Sequence, residues 1–474
     1  MNYPVFLITT LSTLYQMQAE AFVSPIRNRT TATALERSNM AYDSENEYDW
    51  FKNLFGFSET TYDDTKSKLL VTQKQNPKTG LSEGWLSSSA KPGTQWSIGR
   101  FHYPTLAELR TKTREVLEEA MNNDDDDDDE KCSTKSKLTF HAFSGDIREI
   151  HGIERNRFAT IQVASQFNCL EFMGPSVTPE YGVTGYSDDM TQGPACCSCT
   201  SPAVVYRNYM HHYEDGVIAQ TKSNPTDEMK RKSSSTRTSS SSSNSNSKAS
   251  YLTGQTEYRQ ADMLADFSRA IGNIPTDNSS SKGGPVFWDM IGGYVMSDSK
   301  RLKMIPWNEF LDEDDDGNNK YDELMETIRI GVHDDIQVTH CDGFGSKSMQ
   351  DKDIRVTHCL SSAVPVTYNS HLTSTSDWER LARIILKASY ESVFHAAILN
   401  MMRHSGEAGS RKIFLTSVGG GVFGNRSSWI HDAIVHCCTK FKDLDLEVYL
   451  VCYGQVDVGV EAKINEILGS NEHE

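Results

Sequence analysis

The sequence predicts an α/β fold, because a complete βαβ unit is visible near its C terminus and further strand and helix signals precede it. Residues 414–418 are an apolar run of strand length, and residues 446–454 are a second one. Between them lie a glycine cluster and an amphipathic segment, residues 429–442, whose apolar residues have helical spacing. Strand, loop, helix and strand in this order form a βαβ unit.

Four earlier segments indicate strands, and one indicates a long helix. The run at 158–168 begins apolar and becomes polar, and the segments 336–340, 354–359 and 364–368 alternate apolar and polar residues. Such alternation is typical of half-buried strands. From 378 to 403, apolar residues recur at the spacing of an amphipathic helix that packs beneath the sheet.

The glycine cluster indicates an anion site. Gly419, Gly420, Gly421 and Gly424 follow the strand at 414–418 directly. Glycine allows backbone amides to approach a phosphate closely, and the next helix directs its positive end to the same place. The spacing is neither Gly-x-Gly-x-x-Gly nor a Walker loop, so the dinucleotide-fold and nucleoside triphosphatase interpretations lose their usual support. The alternative is a tight strand-to-helix turn that needs small residues only for packing.

This glycine loop resembles the C-terminal part of macrodomains, and more closely that of the poly(ADP-ribose) glycohydrolase branch, in which a strand ends in Gly-x-Gly-(small)-Phe-Gly. In that family the loop holds the diphosphate of ADP-ribose, and its Phe packs against the ligand. The resemblance therefore implies that six consecutive residues hold a diphosphate here: Gly419, Gly420, Gly421, Val422, Phe423 and Gly424.

A second part of the resemblance lies upstream, where Ser144-Gly145-Asp146-Ile147 precedes the predicted strand at 158–168. In macrodomains a Gly-Asp-Ile carries the Asp that reads the adenine amine, and a strand ends in Ala-Ala-Asn, whose Asn faces the distal ribose. The resemblance implies that Asp146 selects adenine. The Asn corresponds to Gln166 or to Asn168, and we favour Asn168.

The chain departs from that family where catalysis is expected. Glycohydrolases of this branch follow the first strand with Gly-Gly-Gly and then Gln-Glu-Glu, and neither motif is present. Glu171 and Glu180 are the nearest carboxylates, and hydrolysis of a glycosidic bond needs such a group, so they are the catalytic candidates. Alternatively, Glu171 caps or pairs locally and Glu180 lies in a solvated turn after Pro179. Residues 191–194 are either a substitute substrate loop or only a turn.

The resemblance implies a three-layer α/β/α macrodomain-like fold with a mixed sheet and disordered insertions. We expect it to bind ADP-ribose or a related nucleotide diphosphate sugar without a cofactor, and we further expect hydrolysis of ADP-ribosyl linkages. A non-catalytic module that recognises ADP-ribosylated proteins is one alternative. Another is a calcium-responsive regulatory protein, because residues 312–317 with Glu323 fit the ligand spacing of an EF-hand loop. The competing interpretation of that loop is an acidic surface segment.

Composition argues against other classes of protein. The 474 residues carry 47 Lys and Arg against 65 Asp and Glu, a net charge of −18, which argues against nonspecific nucleic-acid binding. His-Cys pairs at 340–341 and 358–359 invite a zinc interpretation, but neighbouring residues on a strand face opposite sides, so we expect no metal there. The ten cysteines include crowded groups at 196–199 and 437–438, which do not look like a disulfide framework, so we expect reduced thiols.

Several segments are predicted to flank or interrupt a core that runs from 137 to 460. Residues 1–30 resemble the bipartite plastid leader of algae with secondary plastids, because an apolar stretch of signal-peptide length and a small-x-small cleavage site precede a basic, hydroxylated segment. They predict a plastid protein with no membrane segment in its mature form; secretion or a cytoplasmic location is the alternative. Residues 31–136 form a flank that ends in an acidic linker, 222–250 a disordered insertion and 461–474 a tail.

Overall fold

The computed structural model describes residues 49–75, 80, 82–123, 137–214, 216–220, 253–273, 284–310, 319–341, 348–456 and 458–469. The predicted leader, the acidic run of the linker, the insertion and the calcium-like loop at 312–317 lie outside these residues. The plastid location and the calcium alternative therefore stay predictions. Within the described ranges, none of the helices is both long enough and apolar enough to cross a membrane.

Strands and helices are numbered here in chain order. The strands are β1 (Leu69–Gln75), β2 (Ser82–Ser88), β3 (Gln95–His102), β4 (Thr139–Ser144), β5 (Thr160–Ala164), β6 (Ile218–Gln220), β7 (Arg259–Ala261), β8 (Asp289–Ile291), β9 (Tyr294–Met296), β10 (Gly331–Gln337), β11 (Arg355–Ser361), β12 (Lys412–Leu415) and β13 (Glu447–Cys452). The helices are α1 (Trp50–Phe55), α2 (Tyr62–Ser67), α3 (Leu106–Asn123), α4 (Ile147–His151), α5 (Gln192–Cys199), α6 (Ser201–Val205), α7 (Ala265–Ala270), α8 (Ser299–Lys303), α9 (Lys320–Glu326), α10 (Glu379–Arg403), α11 (Ser427–Lys440) and α12 (Val458–Gly469).

One large sheet organises the fold, in the strand order β1-β2-β3-β10-β11-β5-β12-β13-β4. The five strands from β11 to β4 are parallel to one another. The four strands from β1 to β10 run antiparallel to their neighbours. The sheet is therefore mixed, as predicted, and the carboxyl ends of its five parallel strands share one edge.

Consecutive residues of β11 show that helices cover both faces of this sheet. The Thr357 hydroxyl donates to Oδ1 of Asn400 in α10 (3.1 Å), whereas His358 contacts His151 in α4 (2.8 Å). Since neighbouring side chains on a strand point to opposite faces, α10 and α4 lie on opposite sides of the sheet. Helices α3 and α11 pack beside α10, and α5 packs beside α4. The predicted three-layer α/β/α arrangement is confirmed.

Local patterns predicted several of these elements closely. The predicted helices at 378–403 and 429–442 correspond to α10 and α11, and the predicted strand at 446–454 corresponds to β13. The alternating segment at 336–340 contains only the end of β10, which begins at Gly331 and ends at Gln337. For β10 the pattern located the strand but not its bounds.

The prediction of a strand at 364–368 is wrong. The Val364 carbonyl accepts a hydrogen bond from the Asn425 side chain (2.8 Å), and the Thr367 amide donates to the Phe423 carbonyl (3.1 Å). These backbone groups are used to hold the segment that follows β12, so they are not available for a ladder with a neighbouring strand. The segment ends in a 3₁₀ turn.

The described part of the predicted N-terminal flank is built into the same sheet. β3 pairs with β10, with Phe101 opposite His333, and α3 packs against α10. Helix α1 belongs to a second apolar cluster that also includes residues beyond β5. Its members include Trp50, Phe51, Trp96, Leu170, Phe172 and Tyr186. The flank therefore supports the segment that follows β5.

Two histidines between the sheet and α4 form a neutral pair. His151 Nδ1 lies 2.7 Å from the Ile147 carbonyl, which only accepts, so this nitrogen carries a proton. His151 Nε2 therefore accepts from Nε2 of His358 (2.8 Å). Burial lowers the pKa of His151 to about 4 and places that of His358 well below its ordinary value.

This pair should make the protein less stable in mild acid. Below about pH 6.5 the unfolded chain binds protons that the folded pair does not, so the free energy of unfolding falls as the pH falls toward the folded pKa values. Replacing His358 by Gln keeps a donor for His151 and removes one titrating group. We expect His358→Gln to reduce the stability lost between pH 7.5 and 5.5 by about 1.4 kcal/mol, measured by urea unfolding.

The matched control is His371→Gln, because His371 is exposed. This variant should show the pH dependence of the parent protein. Equal pH dependence in the parent and in His358→Gln would contradict the assignment of a neutral buried pair.

Candidate functional site

A cavity of about 410 Å³ lies at the edge of the sheet where the parallel strands end. Its wall includes Gln166 after β5, the glycine loop after β12, Tyr453 after β13 and Asp146 after β4. Open α/β sheets bind ligands at this edge, and the volume lies within the range of small-molecule sites. The two segments that carry the family resemblance are thus brought to one cavity.

Two glycines of the loop are required by the backbone itself. Gly419 and Gly424 have φ values of +75° and +72°, in the left-handed region that side chains disfavour. A β-carbon on Gly419 would lie 2.5 Å from Cβ of Ala363, and one on Gly424 would collide with the Thr367 hydroxyl. The Asn425 amide closes the loop by donating to the Gly419 carbonyl (2.9 Å). At these two positions the tight-turn interpretation holds.

The middle of the loop is different, because it is open. A β-carbon on Gly421 would meet no atom within 4 Å. The amides of Gly421, Val422 and Phe423 donate to no acceptor within the described part of the chain, and all three residues line the cavity. Helix α11 begins shortly after them, at Ser427, without a side-chain cap. Free amides beside a helix N terminus are suited to hold an anion.

Asp146 caps α4 and is paired with Arg148 in the cavity wall. Its Oδ1 accepts the Arg148 amide (2.9 Å), and its Oδ2 lies 2.5 Å from Nη2 of the same residue. The Arg148 guanidinium holds the pKa of Asp146 below its ordinary value. An ionised carboxylate is an acceptor, which suits recognition of an amine. The assignment to adenine stays a prediction.

Gln166 lines the cavity, whereas Asn168 is fully buried behind it. The Asn168 side chain donates to Oε1 of Gln260 (2.8 Å) and accepts the Leu170 amide (3.1 Å). Gln166 bonds to both backbone groups of Phe172, at 3.0 and 3.1 Å. The geometry favours Gln166 as the ligand-facing residue, although the family resemblance favours Asn168.

Asp146 and Gln166 mark opposite ends of the cavity. They follow β4 and β5, which are three strand spacings apart in the sheet, or roughly 14 Å. The glycine loop follows β12, which lies between these two strands. An anion held by the loop would therefore lie between Asp146 on one side and Gln166 on the other.

Glu171 is buried in the floor of the cavity and paired with Arg207. Neither side chain has exposed surface, and the closest distance between them is 3.2 Å. Glu171 also accepts the Ser165 hydroxyl (2.9 Å) and lies 3.1 Å from the Cys197 thiol. Burial acts to lower the pKa of Arg207, but the Glu171 carboxylate and other neighbouring groups together outweigh it, and the pKa is raised. Glu171 is therefore paired within the protein, and its charged partner is Arg207.

Glu180 lies in a 3₁₀ turn away from the cavity wall. Its carboxylate accepts the backbone amide of Glu257, at 2.8 and 2.9 Å. The predicted substrate loop at 191–194, in contrast, does reach the cavity, through Thr191, Gln192 and Pro194. The Gln192 side chain fastens it to the end of β5 by accepting the Ala164 amide (2.7 Å). A catalytic role for Glu180 stays a prediction.

Sequence reasoning missed the segment at residues 182–190, called the wall loop below, and the residue that holds it. Glu59, from the N-terminal flank, accepts the amides of Val183 (2.9 Å) and Thr184 (2.7 Å) with its buried carboxylate. Further along the wall loop, Asp189 lines the cavity. Glu59 and the wall loop are more than 120 residues apart. No pattern in the sequence links them, so this contact could not be predicted.

Metal chemistry has no candidate ligand set in the described part of the chain. Within it, no group of three or more His, Cys, Asp or Glu side chains is arranged to hold a metal ion. The nine cysteines that the structure describes are free thiols, and all but Cys452 are buried.

No protein-family model matches the chain, and no curated protein matches it. Among solved structures, poly(ADP-ribose) glycohydrolase from Deinococcus radiodurans in complex with ADP-ribose aligns with a TM-score of 0.36 and 9% identity, over 78% of this chain and 95% of that one. The Thermomonospora curvata enzyme bound to the inhibitor ADP-HPD has a TM-score of 0.20 and 18% identity, over 29% and 48%. At these values neither likeness assigns a function.

The two catalytic candidates should differ sharply in their effect on stability. Glu171→Gln leaves the buried Arg207 charge without its partner, so we expect it to lower the free energy of unfolding by about 3–5 kcal/mol. Glu180→Gln keeps an acceptor for the Glu257 amide on a half-buried side chain, so its effect should stay below about 1 kcal/mol. Urea unfolding of both variants at pH 7.5 measures the difference.

The double variant Glu171→Gln with Arg207→Gln provides the control. Removing both charges should recover part of the loss, because no unpaired charge is then buried. A Glu171→Gln protein as stable as its parent would show that the pair does not hold the cavity floor. Activity tests at Glu171 must in any case be read together with these stabilities.

Proposed function

We propose that the protein binds ADP-ribose or a related nucleoside diphosphate sugar in this cavity. The observation that carries the proposal is the set of amides at Gly421, Val422 and Phe423, which have no acceptor in the described part of the chain and belong to residues that line a cavity with a polar side chain at each end. A diphosphate is the part of such a ligand that needs several donors at once. Asp146 and Gln166 would then meet the base and the distal ribose.

The side chains of the cavity wall are more acidic than basic, so the proposed binding of a diphosphate depends on backbone amides. The acidic residues of the wall are Asp146, Glu171 and Asp189, and the basic one is Arg148, which Asp146 already engages. Side chains therefore give the wall no excess of positive charge. Backbone amides and the N terminus of α11 must supply the attraction for a diphosphate.

We further propose that the protein removes ADP-ribose from a modified protein by hydrolysis. Carboxylates in the cavity wall support this proposal, because they can handle protons near a scissile bond. A non-catalytic module that only recognises ADP-ribosylated proteins is the second candidate. It is favoured by the engagement of Glu171 with Arg207, which takes one of those carboxylates out of use.

Calorimetric titration with ADP-ribose tests the binding proposal. The substitution of choice is Gly421→Glu, because a side chain at Gly421 enters open space and its φ is not in the left-handed region. The parent protein should bind. The added carboxylate would face the diphosphate, and like charges brought together cost several kcal/mol, so we expect binding to weaken by about 100-fold or more.

Gly469→Glu is the matched control, since Gly469 is exposed at the end of α12 and a β-carbon there meets no atom within 4 Å. It should bind ADP-ribose as tightly as the parent. Failure of the well-folded parent to bind, or equal binding by Gly421→Glu, would reject the glycine loop as a diphosphate site. Gly420 is a poorer choice, because a β-carbon there would lie 3.1 Å from Ile430.

A further inference from the structure

The three carboxylates that line the cavity differ in what they are free to do. Asp146 and Glu171 are each held by an arginine, and the Glu171 side chain has no exposed surface. Asp189 is only half-buried and forms no ion pair within the described part of the chain. Its Oδ1 accepts the Thr191 amide (2.8 Å). A general base needs a lone pair that water can reach, and Asp189 is the cavity carboxylate that is partly exposed and not engaged by an arginine within the described residues.

Asp189 lies toward the end of the cavity that Gln166 marks, because it accepts the Thr191 amide and the next side chain, Gln192, accepts the Ala164 amide at the end of β5 (2.7 Å). Gln166 contacts the Tyr294 hydroxyl at 3.4 Å, and Phe423 packs against Tyr294 and Tyr368 with ring centroids 5.3 and 5.7 Å away. Burial raises the pKa of Tyr368, and the nearby Asp189 carboxylate adds to the shift. In the proposed binding mode this end receives the distal ribose, whose anomeric carbon carries the scissile bond.

The backbone that carries Asp189 is held from two sides. Glu59 accepts two amides at the start of the wall loop, at 2.9 and 2.7 Å. The Tyr186 hydroxyl accepts the Glu171 amide (2.7 Å), which joins the wall loop to the cavity floor. The Asp189 amide in turn donates to the Tyr186 carbonyl (3.3 Å). A carboxylate on such a fixed segment is positioned before the ligand arrives.

We propose that Asp189 is the general base that activates water for the hydrolysis of ADP-ribose esters of protein carboxyl groups. This rests on the proposed function, because the ADP-ribosyl group must first be bound. Asp189 takes a proton from a water molecule while the water oxygen bonds to the anomeric carbon. The bond from that carbon to the ester oxygen breaks, and its electron pair stays on the leaving carboxylate. ADP-ribose and the free protein carboxylate result, and Asp189 releases the proton to solvent.

The type of bond that can be cleaved follows from the ion pairs of the other two cavity carboxylates, Asp146 and Glu171. An ether oxygen, as in a ribose-to-ribose bond, leaves as an alkoxide and needs a proton from a general acid. Asp146 and Glu171 are each paired with an arginine, and a guanidinium favours the ionised form of a carboxylate, so neither is suited to donate a proton. A carboxylate leaves without being protonated. The carboxylates of this cavity therefore suit an ester and not an ether.

The test compares two substrates and three proteins. Full-length protein is incubated with a peptide that carries ADP-ribose esterified to a glutamate side chain, or with poly(ADP-ribose), and released ADP-ribose is measured by chromatography. We expect the parent to act on the ester at least tenfold faster. Asp189→Asn should release ADP-ribose about 100-fold more slowly. It should bind ADP-ribose as tightly as the parent, because Asn keeps an acceptor for the Thr191 amide.

Asp188→Asn is the matched control, since Asp188 is exposed and next to Asp189 in the chain; it should be as active as the parent. Undiminished activity of Asp189→Asn, or a parent that prefers poly(ADP-ribose), would overturn the proposal. A parent that binds ADP-ribose but releases none from either substrate would also overturn it and leave the binding function intact. A parent that does not bind at all would reject both.

Discussion

The ion pair between Glu171 and Arg207 is the interaction on which the cavity depends. A guanidinium without exposed surface must find acceptors inside the protein. Arg207 finds them in Glu171 (3.2 Å), the Cys169 carbonyl (3.0 Å) and Nδ1 of His333 (3.3 Å). His333 in turn bonds through Nε2 to the Ile98 carbonyl of β3 (2.7 Å). One buried cation thereby ties the segment after β5 to β10 and to the antiparallel end of the sheet.

The N-terminal flank also supports the cavity, through its contacts with the wall loop. Val183 and Tyr186 of the wall loop are buried in the apolar cluster that includes α1. Polar groups of the flank also fix this loop: the Glu59 carboxylate accepts the Thr184 amide, and the Trp50 indole donates to the Thr184 carbonyl (3.2 Å). The flank thus holds one wall of the cavity in place, although none of its described residues lines the cavity. Removing the flank would expose the amides that Glu59 satisfies and would release the segment that carries Asp189.

The sequence predicted what is encoded locally and failed where contacts are long-range. Helix α10 and the βαβ unit around the glycine loop follow from periodicity and from turn residues, which a short window contains. The choice between Gln166 and Asn168 could not be made in this way, since it depends on Asn168 meeting Gln260, 92 residues away. Arg207 was missed because it lies in a largely buried stretch without a motif.

The choice of a catalytic carboxylate also depends on contacts that the sequence does not show. From the sequence, Glu171 and Glu180 were the natural candidates because they follow β5 closely, and Asp189 had no mark that set it apart. Distance along the chain does not show whether a carboxylate is already engaged. Only the structure shows that Glu171 is engaged by an arginine, whereas Asp189 keeps access to the cavity.

The glycine loop shows how two interpretations of one motif can be divided among its residues. At Gly419 and Gly424 the left-handed backbone and the collisions of an added β-carbon make glycine a requirement of the turn. At Gly421 neither constraint applies, and an added side chain would meet no protein atom. A glycine that the fold does not require leaves its amide open to a ligand, so function should be sought at Gly421 and folding at its neighbours. Substitutions that treat the cluster as uniform would confuse loss of the turn with loss of the anion site.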